Sequence, residues 1–414
     1  MKNVLFVSVS LSIIDRVEKC FVEGMLDPSR TYFLIEFFGK EIPHKLPQNC
    51  LGSTDFLDQS EIDRVCKLMA AFGEFQVVIG MEESSLYAAA DVRKRLGVPG
   101  LEKHEVERFR DKVVMKETLQ DSGILVPKVY SSDELFQGVL KFPLIAKPRA
   151  YCSSIGVIKI RSREELEPLL GQKRAEVQQG YDSRFCEMRK DDLEYEEFIE
   201  GDTYHVDGFV FDGELGFSTT SRHINSCLDF IQGAPLGNIS VSDFSEQQKW
   251  NDFAVRVMEV MRVPNGAFHL EAFLNSKGER VFLEIAIRPP GGMISRTLSE
   301  VHSVDLRMAH VQCQLGVRPS LKKKGPLYSG DLMFPMKYIE EGQKSTRFVE
   351  AFSRLSESDF PTLRWSKYPS VGDAAEREFA YEYNLGSFVF ASMNIEDIER
   401  DIRLAMKTYQ VEVK

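Results

Sequence analysis

The sequence is short of several things. Seven cysteines in 414 residues are odd in number, scattered, and without a Cys-x-x-Cys pair. That excludes a disulfide framework or a cysteine-built zinc module and points to a reducing, cytoplasmic setting. No apolar run approaches the roughly 18 residues a membrane-spanning helix needs. The stretch after Lys2, Val4 to Val9, is too short and too weakly flanked by charge to read as a secretory signal, so it is expected to be a first strand. Positive charge is in deficit: 52 Lys and Arg stand against 63 Asp and Glu, a net −11. This argues against a nucleic-acid partner. The loop after the first strand, Ser8-Val9-Ser10-Leu11-Ser12, has no Gly-x-Gly-x-x-Gly, which disfavours a dinucleotide site there.

What is present is an ordinary globular chain, 43% apolar and 28% charged, long enough for two to four domains at about 150 residues each. Val4–Val9, Tyr32–Phe38 and Phe75–Ile79 read as strands, and Glu83–Leu96 as a helix closed by Gly97 and Pro99. Their alternation predicts a parallel α/β domain over residues 1–100. A second block, 101–320, opens on a helix at Asp111-Lys112. Short strands follow around Leu144–Lys147 and Gly156–Ile160, then a polar tract over 162–192 and further strands from Tyr195 onward. After the Lys322-Lys323-Lys324-Gly325-Pro326 punctuation, residues 321–414 are expected to form a separate α/β subdomain.

One hairpin can be worked out in detail. His269-Leu-Glu271-Ala-Phe-Leu-Asn-Ser leads to Lys277-Gly278, and Glu279-Arg-Val-Phe-Leu-Glu284-Ile-Ala-Ile-Arg288 returns. With Lys277-Gly278 as a two-residue turn, Glu271 lies directly opposite Glu284. Period two then puts His269, Glu271, Phe273, Phe282, Glu284, Ala286 and Arg288 on one face, and Leu270, Ala272, Leu274, Leu283, Ile285 and Ile287 on the other. Opposed carboxylates repel by a fraction of about 1 kcal/mol unless a divalent cation sits between them, and oxygen-only ligation suits Mg²⁺. A solvated face on which Arg288 pairs with one glutamate explains the spacing equally well. The following Pro289-Pro290-Gly291-Gly292 favours the metal, because it puts side-chain-poor backbone where a ligand could approach closely.

Two other elements are weak alone. Lys147 ends an apolar strand and is followed by Ser153-Ser154-Ile155-Gly156, small residues whose N–H and O–H groups could cover phosphates. Glu196-Glu197-Phe198-Ile199 could be a strand end, or a connector whose backbone reads an adenine edge while its apolar side chains cover the ring. In order along the chain, Lys112, Lys147, the serine loop, Glu196–Ile199, Glu271, Glu284 and Arg288 together resemble the ATP-grasp superfamily, over roughly residues 75–300.

The resemblance implies an α/β (α+β) ATP-grasp fold: an N-terminal parallel α/β domain, a core over 101–320 with a mobile lid subdomain at about 130–195, and the C-terminal subdomain. It implies ATP and Mg²⁺ as cofactors, with Mn²⁺ as a substitute. Lys112 and Lys147 take the phosphates; Ser153, Ser154 and Gly156 form the closing loop. Glu196 to Ile199 hold adenine, with the backbone of Glu197 and Ile199 as readers, and His205 contacts ribose. Glu271 and Glu284 ligate the metal, and Arg288 steadies an acyl phosphate. One departure stands out: where the superfamily usually has Asn two residues after the second glutamate, this chain has Ala286. That alanine, with Arg-Pro-Pro-Gly-Gly after it, is similar to the branch containing bacterial L-amino-acid (dipeptide) ligases. The expected activity is ATP-dependent joining of an amino acid to an amine, with release of ADP and phosphate.

Amino-acid selection is sought at Glu82 or Glu83, an acidic pair at the carboxyl end of a strand that could meet an ammonium group or simply open a helix. Arg222 and His223 lie on a strand where His223 could assist the amine or be a satisfied core histidine. Gly291, Gly292, Ser295 and Arg296 could meet a substrate carboxylate, with Arg296 alternatively a helix-end residue. The expected partners are small amino-acid substrates, with no nucleic acid and no membrane; the family's common homodimer and a carrier-bound acceptor both stay open. The rival readings are an ATP-binding regulator without turnover, and a biotin-carboxylase-like component. The latter is prompted by Ala405-Met406-Lys407, but that tripeptide sits on a helical pattern.

Overall fold

The computed structural model describes residues 2–37, 41–152, 154, 156–170, 193–321, 327–335, 347–375 and 384–414. Ser153, most of the polar tract (171–192) and the 322–326 punctuation lie outside the described residues.

Strands β1 (Val4–Ser8), β2 (Thr31–Glu36), β3 (Cys50–Ser53) and β4 (Val77–Gly80) form a sheet in the order β3-β2-β1-β4. Every pairing in it is parallel. Continuous apolar runs such as Val4-Leu5-Phe6-Val7 suit this arrangement, because helices bury both faces of a parallel sheet. β3 carries a glycine and little apolar character and was not anticipated. The expected helix forms as a short 3₁₀ turn, Glu83–Ser85, then an α-helix, Leu86–Leu96, stopped at Gly97 with φ of 67°.

β5 (Leu144–Pro148), β6 (Ile158–Ile160) and β7 (Leu193–Glu197) make a separate antiparallel sheet in the order β6-β5-β7. The largest sheet has eight strands. It takes in β8 (Gly201–Phe211), β9 (Glu214–His223), β10 (Leu236–Ser240), β11 (Gly266–Asn275), β12 (Arg280–Ala286) and β13 (Tyr328–Phe334). After β14 (Val349–Phe352), which lies elsewhere, β15 (Leu363–Lys367) and β16 (Gly386–Ser392) complete it. β13 pairs with both β10 and β16, so β13, β15 and β16, all beyond residue 321, continue the same sheet. β14 pairs with β17 (Val411–Val413).

One face of the large sheet is covered by the helix Phe244–Met261, whose Trp250, Phe253, Ala254 and Val257 pack on Phe268, Leu270 and Phe282. The other face of β8, β9 and β11 carries histidines and carboxylates. Among the described residues no helix is long and apolar enough to cross a membrane. Ala405-Met406-Lys407 lies within the helix Ile395–Thr408.

The hairpin pairs Glu271 with Glu284 and His269 with Ala286. Two compensating deviations produce that match. The loop has three residues, not two: Asn275 N–H donates to Glu279 O at 3.0 Å, the Asn275 side-chain oxygen accepts from Lys277 and Glu279 N–H, and Gly278 takes a φ of 74°. This shifts the register by one, so Ala272 meets Phe282. A bulge at Leu283 then restores it before Glu284. The bulge exchanges two residues relative to strict alternation. Phe282 turns into the core and Leu283 onto the site face.

Candidate active site

β5, the segment after β7, β11, β12 and the turn after β12 surround a cleft of about 260 Å³. Lys112, Lys147, Ser154, Glu196, Glu197, Phe198, Ile199, Glu271, Glu284, Arg288, Gly291, Gly292 and His223 all line it. Residues spread over 180 positions of sequence are thus brought to one place.

At one end, Ile145, Val157, Phe198, Ile199, Phe273 and Leu283 make an apolar slot. Glu197 N–H donates to Lys128 O, and the backbone from Glu197 to Ile199 borders this slot. Lys159 Nζ lies 3.6 Å from the centre of the Phe198 ring.

Beside that slot is a buried charge cluster that sequence patterning missed in part. Lys147 Nζ lies 2.5 Å from Glu196 and 3.6 Å from Glu194, while Lys116 Nζ lies 2.5 Å from Glu196 and 2.7 Å from Glu194. Burial disfavours the Lys147 charge, but Glu196 and Glu194 outweigh it and hold the ammonium above the usual lysine range. Glu196 is therefore a counter-ion rather than part of an adenine clamp. The signal was available: Lys116 is one turn after Lys112, and Glu194 alternates with Glu196 on one strand face. Lys112 Nζ pairs with Glu284 at 3.0 Å and donates to the Tyr151 carbonyl.

Glu271 and Glu284, cross-strand partners, both face the cleft. His223 Nε2 lies 3.4 Å and His269 Nε2 3.5 Å from Glu271 Oε1. Burial opposes the Glu271 charge, but these imidazoles keep its carboxyl well below the ordinary value. Two carboxylates with hard oxygen donors fit one Mg²⁺. Ala286 offers no third oxygen and faces His269.

Behind Glu271 runs a buried network. Asp207 holds His205 Nδ1 at 2.5 Å and His269 Nδ1 at 2.7 Å, and His205 Nε2 reaches Asn238 at 3.0 Å. Asn238 donates to Asp331 at 2.8 Å, and Thr297 donates to the other Asp331 oxygen at 3.0 Å. Burial alone would lower the His269 pKa; Asp207 and Glu271 raise it to about 10. Burial pushes the Asp331 carboxyl up to about 6. His223, by contrast, is pushed down by burial and is neutral, with its Nδ1 buried and without a partner among the described residues.

Several expected site residues are placed elsewhere. His205 sits below the cleft with both ring nitrogens engaged, so it does not meet a ribose there. Glu83 is no ammonium receptor: Arg110 takes one oxygen at 2.8 Å, and Arg288 takes the other at 2.6 and 3.1 Å. These guanidiniums hold its carboxyl down at about 2 against the cost of burial. Glu82 is engaged by Ser8 and Arg16, outside the cleft lining. Arg222 is on the face of β9 opposite His223, near Tyr204. Ser295 donates to Pro290 O, and Arg296 pairs with Glu300 and stacks over Trp365; neither lines the cleft. Gly156 is also outside the lining.

Residues 140–297 match the ATP-grasp domain family. That segment is an ATP-grasp domain. Over its whole length it superposes on a Bacillus licheniformis L-amino acid ligase, with a TM-score of 0.74 at 16% identity and 98% of that chain covered, a likeness of fold. In sequence, the chain is 22% identical to an L-arginine-specific L-amino acid ligase of Bacillus subtilis, over 81% of its own length and 80% of the relative's. It is 25% identical to an alanine–anticapsin ligase of Bacillus subtilis, over 74% and 70% of the two.

Lys147→Ala is expected to weaken ATP binding by about 10- to 150-fold, the value of one charge-assisted contact of ~1.5–3 kcal/mol. Titration calorimetry on the folded variant checks this, and wild-type affinity would remove Lys147 from the phosphate site.

Proposed function

We propose that this chain is an ATP-dependent carboxylate–amine ligase that joins an amino acid to an amine, a second L-amino acid above all, through an acyl phosphate. The observation that carries the reading is the set of groups that share one cleft. Apolar side chains beside the Glu197–Ile199 backbone, two lysines, two opposed carboxylates and Arg288 all line it. The names of the curated relatives support amide-bond formation as the outcome.

Joining a carboxylate to an amine in water is uphill, so the acyl group must be activated. Here the substrate carboxylate attacks the γ-phosphorus of ATP, and ADP leaves. Phosphoryl transfer of this kind is accelerated chiefly by positioning and charge stabilisation. Lys112 and Lys147 hold the phosphates in line. Glu271 and Glu284 would hold Mg²⁺, which supplies charge neutralisation at the phosphate oxygens when bound. Arg288 faces the acyl-phosphate oxygens, its guanidinium plane fixed by Glu83. Neutral His223 takes the proton of the incoming ammonium. Attack of the amine on the acyl carbon then expels phosphate.

The test mixes protein, Mg-ATP and pools of amino acids, and follows phosphate release and amide mass. Amino-acid-dependent release with an amide product supports the ligase. ATP binding without release favours a regulator, and bicarbonate-dependent release a carboxylase.

A further inference from the structure

The groups assigned to ATP and Mg²⁺ leave part of the cleft wall to be explained. That part includes Cys227, Leu228, Leu236, Met293, Ile294 and Met333. Leu236, Met293 and Met333 also belong to a hydrophobic cluster with Phe230, Val301 and Val389, so the floor of this part is the open edge of a packed core. At its mouth, Gly291 and Gly292 border empty space: a Cβ on either would meet nothing within 4 Å.

The carboxylates in this part are engaged. Glu271 is committed to the metal in the ligase reading and has His223 and His269 against Oε1, and both Asp331 oxygens accept hydrogen bonds from Asn238 and Thr297. A basic side chain placed here would lose water without gaining an unengaged counter-ion among the described residues, which is costly. An acidic one would have to compete with Glu83 for Arg288. An apolar side chain gains from burial against a preformed apolar wall. Two flexible thioethers in that wall adapt to different shapes, which favours tolerance over a single fit.

We propose that this part of the cleft is the side-chain seat for one of the two joined amino acids, and that it selects an uncharged apolar side chain of medium size, such as leucine, methionine or phenylalanine. The inference rests on the ligase reading and adds the substrate class. It differs from what the name of the arginine-specific relative would lead one to expect.

Two measurements separate the seat from the ligase reading. The first is calorimetric binding of single amino acids to protein saturated with a non-hydrolysable ATP analogue and Mg²⁺. Leucine or methionine should bind at least 10-fold more tightly than arginine, lysine or glutamate, in line with the roughly 10- to 200-fold that a methylene or two contributes in an apolar pocket. Equal or tighter binding of a charged amino acid, or no binding of the apolar ones, overturns the seat. The second is phosphate release with amino-acid pairs: apolar binding without release leaves the seat standing and sinks the ligase.

The location is tested at half-buried Leu228. Leu228→Ala should weaken leucine binding about 10-fold, and Leu228→Glu should reverse the order, so that arginine binds more tightly than leucine. Wild-type preference in both folded variants would place the side chain elsewhere.

Discussion

Glu284→Gln should lower turnover on the order of 10²-fold or more at millimolar Mg²⁺, while leaving the protein folded. Glu284 lies directly across from Glu271 on the hairpin, and its other neighbour is the Lys112 ammonium at 3.0 Å. An amide keeps the shape and one acceptor oxygen but removes the charge that a divalent cation needs. Losing one preorganised charged contact to a reacting phosphoryl group costs several kcal/mol of transition-state stabilisation. Free-protein stability should move little, because the substitution relieves the repulsion between opposed carboxylates while weakening the pair with Lys112. The informative measurement is rate against Mg²⁺ concentration. Saturation should shift to higher Mg²⁺ or disappear, and an unchanged curve would remove this glutamate from the metal site and leave the carboxylate pair without a role.

Asp207→Asn should destabilise the fold by about 3–5 kcal/mol and alter its pH dependence. Asp207 is fully buried and its two oxygens serve His205 and His269, the first two residues away on β8 and the second its cross-strand partner on β11. Removing the charge leaves the buried His269 imidazolium with Glu271 alone at 3.5 Å, a costly way to break a buried pair. The sign follows from the pKa values. His269 is raised from 6.5 to about 10, so its contribution is fully present below pH 6.5 and is lost as pH rises towards 10. Asp207 is lowered, so its contribution is present above about pH 4 and is lost only in stronger acid. Urea denaturation of the wild type should therefore show stability declining between pH 6.5 and 10. The asparagine variant should be less stable at pH 6 and should lose most of that decline. A variant that keeps the full alkaline slope would show that His269 is not the group responsible.

Most of the chemistry was legible in the chain because it depends on residue type and order. Lysine at the end of an apolar strand, opposed glutamates on a hairpin, and arginine before a Pro-Pro-Gly-Gly run are local statements, and the cleft contains all of them. Arg288 shows where such reading stops. Its partner, Glu83, is 205 positions away, and nothing in Glu82-Glu83 says which of the two turns towards an arginine. Lys116 and Glu194 were passed over because a lysine on a helix and a glutamate on a strand look like surface residues until both are buried together.

The amphipathic patterns in the sequence determined by themselves a parallel α/β unit followed by strands carrying phosphate-type chemistry, since apolar periodicity and turn residues act over a few positions. Tertiary structure decided the rest. It chose a three-residue loop and a bulge that swap Phe282 and Leu283 while preserving the glutamate pair. It bound β13, β15 and β16 into the large sheet, and so brought Met333 to the wall of the cleft. It also gave Glu83 to Arg288 and Asp207 to two histidines. Those outcomes depend on which distant charges and strand edges meet once water is excluded, and no local pattern carries that information.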